Sequence, residues 1–301
     1  METFDDAPVT INEYADMALR ERFVDRLDPK AHKLTRILSE YHLAHDIECA
    51  LTDCRTKHRH GLLVRTEDGT ETSIGCDCGV RYFPDQYDAL KKSFNVRRTR
   101  AAHMDAINEY LSKVLEYSHE IHVIWYEESG GRWADECRDL YNSACPESVR
   151  NHIQRTSRSG SWTLKLQVQI TEGDRENDVG LGFRRSQAYE ERVIGILRGG
   201  PALLRSVSSV LKPLRDGMAT YAKCDPSGMT SPARRKWVEW SKTIPARLDE
   251  ARTLVSLARE LYSTANLEQL IQVARWKDEK KAVRDFMRSI ARLDLQRAKA
   301  G

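Results

Sequence analysis

CALTDCRTKHRHGLLVRTEDGTETSIGCDCG, residues 49–79, holds four of the seven cysteines and two of the nine histidines of this 301-residue chain. Cys49 and Cys54 form a first pair and Cys76 and Cys78 a second. The run between them reads as two strands, with Leu62, Leu63 and Val64 on one and Thr70, Thr72 and Ile74 on the other, turning at Asp68-Gly69. A hairpin brings its two ends together, so both pairs arrive at one place without long-range folding. Soft thiolates converging in this way suit a tetrahedral Zn²⁺ ion. The expected ligands are Cys49, Cys54, Cys76 and Cys78, with His60 and then His58 as substitutes for Cys76. The one-residue spacer between Cys76 and Cys78 is what leaves the fourth position open.

Gly61 opens the first arm and Gly75 closes the second, and a helix over Asp85–Phe94 is expected after Pro84. This order of knuckle, hairpin, second pair and helix resembles the treble-clef class of zinc fingers. The run Ile74-Gly75-Cys76-Asp77-Cys78-Gly79, ending in Tyr82-Phe83, is also similar to an I-G-x-x-C-G element in proteins of phages and mobile elements. The resemblance covers about residues 45–83. It implies a small zinc-stabilised unit, a phage or mobile-element origin, and a bacterial host's cytoplasm as the place of action. A histidine ahead of the hairpin is then a plausible substitute ligand.

Disulfides are disfavoured by the odd cysteine total and by a start, METFDDAPVT, without secretory character. Cys137, Cys145 and Cys224 are widely spaced and read as incidental. No run approaches the apolar length of a membrane span, so no membrane partner is expected. Composition is that of a folded but strongly charged protein, 40% hydrophobic and 31% charged, with a net charge of +3. That balance does not by itself imply nucleic acid, and placement matters more. Between Asp88 and Asp105 there is no acid, while Lys91, Lys92, Arg97, Arg98 and Arg100 fall there. Such a run beside a finger is expected to meet phosphates. Arg234-Arg235-Lys236 with Trp237 and Trp240 is a second basic-aromatic zone, which helix packing explains more simply.

Four regions are expected, giving an α+β but predominantly helical fold. Residues 1–45 read as helices, with a capping box at Thr10–Glu13 and apolar stripes Tyr14, Leu19, Phe23, Leu27 and Leu34, Ile37, Leu38, Tyr41. Residues 46–96 are the treble-clef-like zinc unit. Residues 97–200 begin with a helix over Arg97–Ser118. A small antiparallel sheet follows, from the alternation in Ser161–Ile170, in His119–Tyr126 and in Val193–Leu197. Thr171–Asn177 reads as a polar loop, Gly180 and Gly182 as a glycine pair without phosphate-loop spacing, and arginines 150, 155, 158, 184 and 185 as loop cations. Residues 201–301 form a helical bundle or hairpin, with a first stripe ending at Pro213 and Gly217, a linker at Asp225–Gly228, and breaks at Ser263–Asn266 and near Trp276.

No nucleophile elbow, Walker motif, dinucleotide fingerprint or HExxH element is present, so an enzyme is not expected. Lys57-His58-Arg59-His60 invites comparison with ββα-metal nucleases, but no further histidine follows until His103. The expected function is a non-enzymatic zinc-finger protein that binds nucleic acid. The alternative is a protein-binding accessory factor or inhibitor of a host nucleoprotein complex, for example an anti-defence protein, with a purely structural zinc. The sequence leaves the oligomeric state open.

Overall fold

The computed structural model describes residues 7–169 and 189–298. These residues are mostly helical and carry two small antiparallel sheets. The chain divides into two compact units, Met1–Glu109 with Asp225–Val238, and Tyr110–Cys224 with Glu239–Gly301.

The first unit is built on three antiparallel strands in the order β1 (Leu34–Glu48), β2 (Lys57–Thr66), β3 (Glu71–Gly75). The β2–β3 hairpin is the one its sequence predicts. Leu62 faces Ile74, Val64 faces Thr72, and the chain reverses at Asp68-Gly69 with Gly69 at φ 85°. All of β3 and residues 61–64 of β2 are buried, because both faces of the sheet are covered. On one face, Phe83, Tyr87 and Phe94 pack against Leu34, Ile37, Leu62, Val64 and Ile74. They come from the junction of α2 (Cys76–Tyr82) with α3 (Pro84–Tyr126) and from α3 itself. On the other, Ile11 and Met17 of the N-terminal segment cover Leu38, Tyr41, Leu43 and Leu63. Each such side chain contributes about 1.5–3 kcal/mol on burial.

Covering both faces corrects the expectation for residues 1–45. Among the described residues of that range only α1 (Tyr14–Ala18) is an α-helix, capped where the Asp16 carboxylate accepts from the N–H groups of Asn12 and Glu13 rather than at Thr10. Leu34, Ile37, Leu38 and Tyr41 lie on β1, not on a helix. Their helix-like spacing arises because this strand is buried on both sides and its pairing shifts register between Leu34 and Arg36 and again between Ile37 and Ser39. Glu71, 3% exposed at the start of β3, accepts from Arg20 Nε at 2.5 Å and Arg65 Nη2 at 2.8 Å. Burial alone would raise its pKa, but these two guanidiniums overcome that and hold it below the usual carboxylate value.

The helices expected over Asp85–Phe94 and Arg97–Ser118 are one continuous element, α3, which extends through Tyr126. The strand expected at His119–Tyr126 is therefore the end of that helix. Ile121 and Ile124, three apart, are its buried residues, while Val123 is exposed, so period three overrides the apparent alternation.

In the second unit α4 (Gly131–Ala144) and α5 (Glu147–Arg158) precede a two-stranded sheet of β4 (Thr163–Gln169) and β5 (Tyr189–Ile196). Arg150, Arg155 and Arg158 sit on α5 rather than on loops. Residues 171–177, Gly180, Gly182, Arg184 and Arg185 lie outside the described residues. A short 3₁₀ turn, Gly200–Leu203, leads to α6 (Val207–Tyr221), which runs through Pro213 and Gly217 instead of ending there. After α7 (Ser231–Ser241), whose residues through Val238 belong to the first unit, the second unit continues with α8 (Ile244–Leu261), α9 (Thr264–Val273) and α10 (Lys277–Ala298), with breaks near Ser263 and Trp276 as expected. Leu211, Leu214, Leu248, Val255, Phe286 and Ile290 are buried here. Asn266 ties sheet to helices, donating to the carbonyls of Arg198 and Leu261. Among the described residues no helix is long and apolar enough to cross a membrane.

Candidate metal centre

Cys49 directly follows the sheet's edge strand, Cys54 lies in the loop after it, and Cys78 lies in the first turn of α2. The loop is pinned by Cys49 N–H donating to Thr56 O at 3.0 Å, Ala50 N–H to Ser73 O at 3.1 Å, and Cys54 N–H to Leu51 O at 3.0 Å. With β3 paired to β2 and α2 starting directly after β3, Cys78 is delivered to the same spot.

The three sulfurs lie within 4.8 Å of one another, and Cys54 Sγ is 3.4 Å from Cys78 Sγ. All three residues are buried, at 7% exposure or less. Tetrahedral thiolates on one Zn²⁺-sized ion stand ~3.8 Å apart, given metal–sulfur bonds of ~2.3 Å. The cluster therefore has the size and chemistry to hold a metal ion.

The three thiols hold their protons unequally. Burial, the Cys54 hydrogen bond and the nearby Cys49 charge push the Cys78 thiol up to about 12, and burial raises Cys49. Cys54 is buried too, but hydrogen bonds from Thr56 and the neighbouring thiols bring it down to about 7. Three thiolates this close repel one another, and a bound dication removes that repulsion.

The sequence's fourth choice, Cys76, is not in the cluster. It is half-buried and shares a hydrogen bond with the Tyr87 side chain, and burial raises its thiol pKa. His60 is exposed, its ring edge-on to His42 at a centroid separation of 3.7 Å. His58 is half-buried, with Nε2 2.9 Å from the hydroxyl of Tyr41 and Nδ1 3.4 Å from Thr56 O. Burial lowers its pKa, favouring the neutral imidazole that metals bind.

Tyr41 is the neighbour that sequence reasoning missed, since it read as one member of a helical stripe. It pairs with Gly61 across β1 and β2, and a Cβ at Gly61 would fall 2.3 Å from its hydroxyl. The signal was Gly61 itself, because a glycine inside a strand marks a close approach.

The basic run is placed differently from its sequence expectation. Lys91 Nζ and Arg98 Nη1 both donate to the carboxylate of Glu40, at 2.8 and 2.7 Å. Arg97 donates to Ile37 O at 2.7 Å and Arg100 to Ser227 O at 3.4 Å, while Lys92 is exposed. Lys91, Arg97 and Arg98 also surround the ring of Phe94 at 5.6–5.9 Å. This run is thus neutralised in part by an acid 51 residues from Lys91, correcting the expectation of an unpaired positive face. Of the second basic zone, Trp237 and Arg234 are buried, which is the packing role.

Compared with protein-family models, curated proteins and solved structures, the chain matches none.

Proposed function

We propose that the three-cysteine centre holds a structural Zn²⁺ in a treble-clef-like unit, and that the chain is a non-enzymatic binding protein whose partner is another protein. The observation that carries the metal reading is three buried sulfurs within 4.8 Å, contributed by two ends of one hairpin. Structural zinc sites are closed by protein ligands, most often cysteine sulfurs, and three such sulfurs enclosed in a small core supply most of that set. Local folding then depends on the metal, as in other small sites of this kind.

The partner reading is favoured by the engagement of Lys91, Arg97 and Arg98 within their own unit, which leaves less charge for phosphates. It is favoured too by Leu111 and Leu115, one turn apart on α3 and exposed at 41% and 82%. Cytoplasmic action follows from the same reading, since the centre needs reduced thiols.

The test has two parts. Elemental analysis of protein purified without chelator should find one zinc per chain, and well under one overturns the metal reading. Capture of partners before and after nuclease treatment, with a salt series on DNA and RNA oligonucleotides, tests the second. Protein partners retained after nuclease support it. Oligonucleotide binding at physiological salt, falling steeply as salt rises, overturns it in favour of nucleic acid.

A further inference from the structure

We infer that His58 is the fourth ligand of this centre, through Nδ1, and that Cys76 stays outside it. This rests on the metal reading proposed above and adds what that reading leaves open.

His58 and Cys78 flank the same small space. A Cβ placed on Gly75 would lie 3.5 Å from Cys78 Sγ and 3.5 Å from His58 Nδ1, so those two atoms are at most twice that distance apart. A tetrahedral site with Zn–S of ~2.3 Å and Zn–N of ~2.0 Å needs sulfur and nitrogen ~3.5 Å apart. Neither His58 nitrogen lies within 4.8 Å of all three sulfurs, so ligation requires the His58 side chain to turn toward them. The contact Nδ1 gives up is long, 3.4 Å to Thr56 O, and that carbonyl keeps the Cys49 N–H at 3.0 Å as a donor.

The other ring nitrogen is prepared for the role. Nε2 lies 2.9 Å from the hydroxyl of Tyr41, which is 2% exposed and also hydrogen-bonds Ser73. Thr56 O can only accept, so Nδ1 carries the proton at that contact; binding the metal moves the proton to Nε2, which then donates to the Tyr41 oxygen and leaves the lone pair on Nδ1. Ligand histidines are held in this manner by a hydrogen bond at the nitrogen away from the metal, which sets tautomer and ring orientation.

Helix geometry excludes Cys76. It is the first residue of α2 and Cys78 the third, and at ~100° per residue their side chains point ~200° apart around the axis. Only one can face the ion, and Cys76 faces Tyr87. His60 is set aside by its exposure and its packing on His42.

X-ray absorption at the zinc edge of the full-length zinc-loaded chain tests this directly. Three sulfur neighbours and one imidazole nitrogen are expected, and four sulfurs would overturn the inference while leaving the metal reading intact. Zinc affinity, measured by competition with a chromophoric chelator, should fall at least ~10-fold in His58→Ala and recover in His58→Cys with a four-sulfur spectrum. Cys76→Ser should keep both wild-type affinity and spectrum, and loss of zinc in that variant overturns the inference even if His58→Ala fails to fold. Tyr41→Phe tests the positioning residue. Affinity should drop by ~10-fold, and the His58 Nε2–H proton, slow to exchange in the wild type, should exchange rapidly while Nδ1 keeps its metal-bound ¹⁵N shift. An unchanged Nε2–H exchange rate overturns the role given to Tyr41. A chain that takes up no zinc overturns the metal reading and this inference together.

Discussion

Glu40→Gln removes a carboxylate that accepts hydrogen bonds from both Lys91 and Arg98, at 2.8 and 2.7 Å. Its side chain is 37% exposed, Lys91 25% and Arg98 55%, so these are surface pairs of unequal quality. Exposed pairs are worth about 0.2–1 kcal/mol each; the better shielded Lys91 pair belongs near the top of that range and the Arg98 pair near the bottom. The expected loss is about 1 kcal/mol. Urea denaturation of the zinc-loaded chain, followed by circular dichroism, should resolve it as a shift in midpoint at constant slope. At 1 M salt, where the screening length is about 3 Å, most of the difference should vanish. A double-mutant cycle with Arg98→Ala should return a coupling of a few tenths of a kcal/mol. Equal stability of wild type and variant at low salt would refute the pairing, as would a difference that salt leaves untouched. The same variant bears on function. Freeing two cations should raise any affinity for nucleic acid and steepen its salt slope by up to ~2 units. If neither protein binds an oligonucleotide, the protein-partner reading gains.

Chelator treatment of the wild type, or Cys78→Ser, should unfold the sheet and α2 while leaving the helices of the second unit folded, read by hydrogen exchange; uniform protection after metal removal would contradict a structural role. Gly61→Ala should destabilise the first unit by about 1–3 kcal/mol, because the new Cβ would fall 2.3 Å from the Tyr41 hydroxyl and 2.6 Å from Ile74 O; a thermal midpoint within a degree of wild type would show that the strands can part freely. Glu71, whose folded pKa is held below its unfolded value of about 4.3, should stabilise fully above that value. Its contribution should be lost as pH falls through the lower, folded value. The stability–pH slope below the unfolded value of about 4.3 should therefore flatten in Glu71→Gln, and an unchanged slope would show that the Arg20 and Arg65 pairs do not hold in solution.

Local chemistry was enough for the hairpin and for the three cysteines that cluster at its ends. Alternating β-branched residues, Asp68-Gly69 as the turn and cysteines at both ends need no distant information, since the parts that meet are neighbours along the chain. The amphipathic stripes of the second unit were legible for the same reason, helix period being a property of residues three and four apart. Tertiary structure decided the rest. Leu34–Tyr41 became a strand because the sheet is covered on both faces, which erases the alternation by which a half-buried strand is recognised. His119–Tyr126 stayed helical because α3 continues through it, whatever its local pattern. Cys76 was separated from Cys78 by the start of α2, and the Tyr41–His58 contact depends on a β1–β2 pairing between residues 17 apart. The basic run looked unneutralised because its acid, Glu40, lies on β1, 51 residues before Lys91. Charge summed along a chain says which cations a segment carries; only the fold, by bringing a distant strand against a helix, says which of them still face solvent.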